Sequence, residues 1–181
     1  MEELASTVLE ITGGKHQSIK WPGNGFRLTV PARAVPEGTT ISLAVRAFLA
    51  EGFQLPENCQ LISAIYWIAA SARFEEEITL HLQHCAVIQS DAESSKFKFI
   101  AGRCNQPEFP YQLKVREGGV FTPHSHEASI SIKQFSIYGA VGEGDLSSYY
   151  WGQGFYQCKK DQSSILDYTI TRNVNSLVTV C

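Results

Sequence analysis

The stretch GFRLTVPARAVPEGTTISLAVRAF, residues 25–48, decides the fold. Apolar residues occupy every second position in each half of it: Phe26, Leu28 and Val30, then Ile41, Leu43 and Val45. Successive side chains of a strand point to opposite faces, so each half predicts a strand with one apolar face. Between the halves, Pro31 and Pro36 remove backbone donors and fix φ, which suits a rigid corner. The stretch therefore predicts two strands of a β-sandwich joined by a stiff elbow.

Similar alternation recurs downstream, at residues 78–83, 97–101 and 111–115. Short strands separated by Gly/Pro turns, with almost no helical periodicity, indicate a sandwich or barrel. Residues 60–68 are apolar at both odd and even positions, which predicts a central strand covered on both faces. We therefore predict an all-β chain.

The run LTVPARAVPEGT, residues 28–39, resembles the signature of the ZU-5 (ZU5) domain, a strand followed by IP-x-x-A-(hydrophobic)-x-x-G-(S/T). Gly13-Gly14 matches the double glycine of that family, and Ser63 before an apolar run, Phe74 and the strand at 78–82 match it as well. The resemblance covers roughly residues 8–142. The family includes zonula occludens scaffolds, uncoordinated-five-type netrin receptors and ankyrins, and membership implies an antiparallel β-sandwich.

The resemblance also implies a domain order. We expect a ZU-5-like sandwich at residues 1–142 and a linker at 143–152, where Gly, Ser and acidic residues concentrate. Residues 153–181 are similar to the start of the UPA domain, which follows ZU-5 in the netrin receptors and ankyrins. The segment predicts two strands, at 154–159 and 165–171, and a short helix at 174–180. These elements cannot bury a core alone, so we expect this second module to be partial.

Composition excludes several classes of protein. The chain has 181 residues, 44% of them hydrophobic, and a net charge of −3 without a basic stripe, which argues against nucleic-acid binding. No apolar run approaches the roughly 20 residues that span a bilayer, and the acidic N-terminus is unlike a signal peptide. Five cysteines without CxxC spacing favour reduced thiols. We therefore expect a cytoplasmic protein that is not inserted in membranes.

The tripeptide Gln134-Phe135-Ser136 is the candidate for chemistry. In some ZU-5 proteins, including the death-domain scaffold of the PIDDosome, a His-Phe-Ser sequence at the matching strand cleaves itself between Phe and Ser. The serine hydroxyl attacks the preceding carbonyl, which needs a strained peptide and a base. Here Gln134 occupies the base position, and an amide lacks the basicity that makes general-base catalysis worth roughly 100- to 10,000-fold. A change in the phase of the apolar alternation predicts a bulge or kink near Lys133-Gln134.

The histidines are the candidates for a metal site. His81 and His84 lie three apart, which on a strand places them on opposite faces. His124 and His126 share a face and, with Glu127, form a candidate cation set, but no further ligands are visible. Solvated loop histidines are the alternative, and we predict no metal and no cofactor. Adjacent strand residues also point apart, so we expect Cys85 beside His84 to be a buried apolar thiol.

The resemblance implies a noncatalytic protein-interaction or autoinhibitory scaffold module of an intracellular signalling or adaptor protein. The expected partners are proteins, including an intramolecular UPA or death domain in a longer chain. One alternative is a self-processing module that cleaves between Phe135 and Ser136, and another is a domain that merely couples others. No hydrolase elbow or Walker loop is present, so we expect no enzyme beyond single-turnover autoproteolysis. Tyr149, Tyr150 and Trp151 are candidate binding anchors that either dock a partner or pack back on the sandwich.

Overall fold

A computed structural model describes residues 3–103 and 110–146. The strands are β1 (Glu3–Thr12), β2 (Gln17–Trp21), β3 (Phe26–Val30), β4 (Thr40–Phe48), β5 (Phe53–Gln54), β6 (Cys59–Leu61), β7 (Ile65–Ala70), β8 (Ile78–Gln83), β9 (Phe97–Gly102), β10 (Tyr111–Gln112), β11 (Lys114–Arg116), β12 (Val120–Phe121), β13 (Glu127–Ile132) and β14 (Ile137–Glu143). One helical turn, α1, spans Asp91–Ser94. The predicted UPA-like segment and most of the predicted linker lie outside the described residues.

The strands form two packed sheets. The larger sheet has seven strands in the order β1-β4-β7-β14-β9-β11, with β6 also paired to β14, and the smaller has five in the order β12-β13-β8-β3-β2. Neighbours in both sheets run antiparallel, and the short β5–β10 pair is parallel. The prediction of an all-β antiparallel β-sandwich is confirmed.

The core lies between the sheets and is built from the apolar faces of alternating strands. Leu28 of β3 and Leu80 of β8 enter it from the smaller sheet, and Leu43 of β4 enters from the larger, all with 0% exposure. A second apolar cluster covers the outer face of the larger sheet. This cluster explains why β14, which has neighbours on both edges, is buried at six of its seven positions.

The elbow between β3 and β4 carries the chain from the smaller sheet to the larger one. Ala34 and Val35 are buried within it, and the Val35 carbonyl accepts a hydrogen bond from the N–H of Gly14 (3.0 Å). Gly13 lies so close to the elbow that a Cβ there would sit 1.7 Å from the carbonyl oxygen of Pro36. The double glycine therefore packs directly against the backbone of the proline-framed elbow.

The prediction of a single strand over residues 60–68 is wrong, because residues 62–64 interrupt the strand between β6 and β7. At the break, the N–H of Ile62 bonds the carbonyl of Ala140 (2.9 Å), and the carbonyl of Ile62 accepts from Cys85 near the end of β8 (2.9 Å). The hydroxyl of Ser63 accepts a hydrogen bond from the N–H of Ala140 (2.8 Å). A serine side chain therefore replaces a backbone acceptor where the pairing with β14 is interrupted between β6 and β7.

The bulge predicted near Lys133-Gln134 is also corrected. β13 ends at Ile132 in the smaller sheet and β14 begins at Ile137 in the larger one, so residues 133–136 cross between the sheets. The change of phase arises because the strands on either side of this crossing face the core from opposite directions. Within residues 3–103 and 110–146, no helix has the length and apolar character needed to cross a membrane.

Candidate functional site

The crossing segment, residues 133–136, holds the three residues that the sequence singles out for chemistry. Phe135 is half-buried and packs edge-on against Phe74, with ring centroids 5.0 Å apart and planes at 71°. Gln134 is exposed, and its carbonyl accepts a hydrogen bond from the hydroxyl of Tyr138 (2.8 Å). Phe74, one of the residues that match the ZU-5 signature, therefore holds Phe135 on the acyl side of the candidate cleavage bond.

Ser136 is tied to both neighbouring strands. Its hydroxyl donates to the carbonyl of Gly102, and its own carbonyl accepts the N–H of Ile68 (2.9 Å). Among the described non-glycine residues, only Asn58 and His124 have positive φ, so the backbone around Ser136 shows no left-handed strain. The hydroxyl is held by a carbonyl, which accepts a hydrogen bond but is not a general base.

His81 lies on the outer face of the smaller sheet in a polar cluster. The guanidinium of Arg27 bonds Glu127 on β13 and lies 2.8 Å from Nδ1 of His81, while Nε2 of His81 is 3.0 Å from the hydroxyl of Thr29. Burial, followed by the charge of Arg27, lowers the pKa of His81. Burial raises the pKa of Glu127, but the hydrogen bond and charge of Arg27 outweigh it and the net shift is downward.

His84 faces the interior, so the predicted separation of His81 and His84 is confirmed. Its side chain is 1% exposed and packs on Phe121, with ring centroids 5.6 Å apart. Cys85 beside it is 4% exposed, as the sequence predicts.

The candidate cation set does not converge in this structure. The imidazole of His126 packs against His84, Glu127 pairs with Arg27, and His124 is exposed with a φ of 61°. Among residues 3–103 and 110–146, no three His, Cys, Asp or Glu side chains gather closely enough to hold a metal ion.

A surface that sequence reasoning missed lies on the outer face of the larger sheet. Half-buried Trp67 of β7 has its ring 6.4 Å from Phe48 and 5.8 Å from Tyr111, centroid to centroid. Beside it, Ala44 and Ala69 are exposed and paired across β4 and β7. The result is an apolar surface next to aromatic rings, with the exposed Arg46 directly opposite Trp67 beside it, and we call it the Trp67 face (Ala44, Trp67, Ala69 and Tyr111). The candidate anchors Tyr149, Tyr150 and Trp151 lie outside the described residues.

The two packed sheets define an antiparallel β-sandwich domain. The family model of the ZU5 domain matches residues 5–99, and the chain belongs to that family. ZU5 domains are in general noncatalytic and mediate protein–protein interactions. None of the curated proteins matches the sequence.

Proposed function

We propose that this protein is a noncatalytic protein-interaction and autoinhibitory scaffold module of a cytoplasmic signalling or adaptor protein. The observation that carries the proposal is the ZU5 match over residues 5–99. Its partners are proteins, among them an intramolecular UPA or death domain in a longer chain. By this proposal residues 1–142 form the interaction module, 143–152 link it to a partial UPA-like segment at 153–181, and Tyr149, Tyr150 and Trp151 are anchors.

The Trp67 face supports a protein partner rather than a small ligand. Interfaces draw most of their binding free energy from a few aromatic side chains surrounded by flat, water-excluding contacts. Trp67 is held by Phe48 and Tyr111, so little side-chain entropy is lost when a partner covers it. The neighbouring alanines let another backbone approach closely.

The test places a charge on this face without disturbing the core. Ala69→Arg changes an exposed residue of the larger sheet, and Ser131→Arg changes an exposed residue of the smaller sheet as a matched control. Proteins captured from cytosol by the wild type and by Ser131→Arg, but not by Ala69→Arg, are then purified and titrated. Saturable binding that weakens at least about tenfold in Ala69→Arg supports the proposal. Binding that is equal in all three proteins excludes the Trp67 face, and no saturable partner contradicts the interaction function.

A second candidate function is self-processing between Phe135 and Ser136. The favouring observation is that both residues lie in the crossing segment, outside the strands, where the peptide is half-buried but not part of a ladder. Gln134 in the base position and the bonded hydroxyl of Ser136 make it the second choice. Intact mass after incubation at neutral pH tests it.

A further inference from the structure

Strand β1 is the longest of the described strands and lies at the edge of the larger sheet. It pairs with β4 on one side, and within residues 3–103 and 110–146 no strand pairs with its other side. Edge strands offer unpaired N–H and C=O groups to another strand, and natural proteins usually protect them. Three hydrogen bonds at the end of β1 show which of its backbone groups face the open edge.

The backbone of Gly13 faces β4, because its N–H bonds the carbonyl of Thr39 (2.8 Å). The backbone of Thr12 faces the other way, since its N–H (3.4 Å) and its carbonyl bond the side-chain amide of Gln17. Backbone groups alternate in direction along an antiparallel strand. The N–H and C=O groups of Ser6, Val8 and Glu10 therefore point to the free edge, and no residue in the described ranges bonds them.

The open edge thus has defined limits. Gln17 closes it at Thr12, and a register shift between Glu3 and Ala5 interrupts it at the other end. Between these limits the open run is centred on Val8, whose side chain is 67% exposed and is the most exposed large apolar side chain described.

We propose that β1 mediates self-association, with β1 of a second copy pairing antiparallel across a two-fold axis through Val8. This register places Val8 opposite Val8, and Ser6 of each copy opposite Glu10 of the other. It pairs all three open residues on each copy and forms about six backbone hydrogen bonds. Registers centred on Thr7 or Leu9 also keep apolar residues on the core side. Each of them, however, places one of the three open residues opposite a residue outside the open run.

The outer face of the joined sheets is complementary in this register. Val8 lies beside Ala44, and Ala44 beside Ala69, so a continuous apolar row would run through the axis into the second copy. An interface with a two-fold axis uses the same patch on both copies, as this row requires.

Charge complementarity also selects this register. Arg46 lies beside Ser6 on the neighbouring strand. The second copy's Glu10, opposite Ser6, would be two strand spacings from Arg46, about 10 Å between Cα atoms. Arg and Glu side chains reaching over the small serine span that distance, and the two-fold axis gives two such pairs. The side chain of Arg46 is 59% exposed, and among the described residues its ion pair is a 3.8 Å contact with Glu3, so water screens its present partner and it can reorient.

The inference differs from the proposed function, because it concerns a second copy at the β1 edge rather than another protein on the Trp67 face, and the two share only the row of Ala44 and Ala69. Sedimentation equilibrium of the 181-residue protein, under reducing conditions and up to about 1 mM, tests it. We expect a reversible dimer. Val8→Lys places two like charges opposite each other and should raise the dissociation constant at least about tenfold. Val120→Lys, at a valine that is 56% exposed on the edge strand β12, is the matched control and should leave it unchanged.

The charge pair is tested by reversal. Glu10→Arg and Arg46→Glu should each weaken the dimer about three- to tenfold, and the double variant should restore it to within about twofold of the wild type. A dimer insensitive to Val8→Lys, or a double variant no tighter than the single ones, overturns the proposal. A wild type that stays monomeric also overturns it. In that case hydrogen exchange at the amide of Val8 separates the causes, since slow exchange in a monomer means that another part of the same chain covers the edge.

Discussion

The imidazole of His84 lies 6.1 Å from that of His126, centroid to centroid, and the backbone N–H of His84 donates to the carbonyl of His126 (2.9 Å). Neither ring nitrogen of His84 meets hydrogen-bonding geometry with a described residue. Burial, followed by the charge of His126, lowers the pKa of His84 from 6.5 to about 4, and the backbone of Ala86 opposes this shift only in part. The interior thus holds an imidazole that stays neutral at physiological pH.

Acid should therefore destabilise the protein through His84. The unfolded chain binds a proton at His84 below pH 6.5 whereas the folded protein does so only near pH 4, so stability is full above 6.5 and falls toward 4. The loss through this residue should be about 2 kcal/mol at pH 5 and about 3 kcal/mol below pH 4. Urea unfolding at pH 7.5 and pH 5 measures it.

Replacement of the ring isolates this contribution from the lowered pKa values of His81 and Glu127, which also favour the folded state at higher pH. His84→Leu should reduce the difference in unfolding free energy between pH 7.5 and pH 5 by about 2 kcal/mol. His16→Ala, at an exposed position, is the control and should leave the difference unchanged. An unaltered pH dependence in His84→Leu would refute the assignment.

Gly13 should tolerate no side chain. Its Cβ would sit 1.7 Å from the carbonyl oxygen of Pro36, which is backbone and cannot move aside cheaply. Gly13→Ala should cost about 3 kcal/mol or more in unfolding free energy, because the elbow must shift. Gly38→Ala is the comparison: its φ is +78° but its Cβ would meet nothing within 4 Å, so about 1–2 kcal/mol of backbone strain is expected. Equal costs in urea unfolding would rule out the close contact.

The wild-type protein should remain intact at the Phe135–Ser136 bond. Gln134 supplies no base, and Ser136 donates its hydroxyl to the Gly102 carbonyl. Intact mass after incubation at neutral pH is the measurement, with Gln134→His as the gain-of-base variant. Cleavage in Gln134→His alone would identify an inactive relative of the self-processing domains. Cleavage of the wild type that Ser136→Ala abolishes would instead make self-processing the function.

The Arg27–Glu127 pair should contribute modestly to stability. The two side chains are 24% and 39% exposed, so water screens their attraction. Arg27→Met, which keeps much of the apolar stem, should lower the unfolding free energy by about 1 kcal/mol. The difference should shrink as salt rises from low to physiological concentration. A loss that does not respond to salt would point to packing instead of charge.

Local patterns predicted the strands and the elbow well, since alternation and proline act over a few residues. The opposite placement of His81 and His84 followed from strand geometry for the same reason. The break between β6 and β7 was missed because the partner of Ser63 is Ala140, 77 residues away. A polar residue inside an apolar run was the available signal.

Other features depend on distant parts of the chain. A change of phase after Ile132 fits both a bulge and a crossing, and only the assignment of β14 to the larger sheet distinguishes them. The Trp67 face could not be predicted from the sequence, because the parallel pair beside it joins Phe53 and Tyr111, which are far apart along the chain. Likewise, the side chain of Gln17 defines where the open edge of β1 ends.

The crossing at residues 133–136 has a consequence for any break in the chain there. The strand that follows it, β14, is hydrogen-bonded to β7 and β6 on one side and to β9 on the other. Residues 1–135 and 136–181 would therefore remain associated after scission, as in a split protein whose second half contributes an interior strand. A nicked molecule would elute as one species under native conditions and separate only in denaturant. The same geometry makes this position a natural site for fragment complementation, in which the two pieces are expressed apart and assemble through β14.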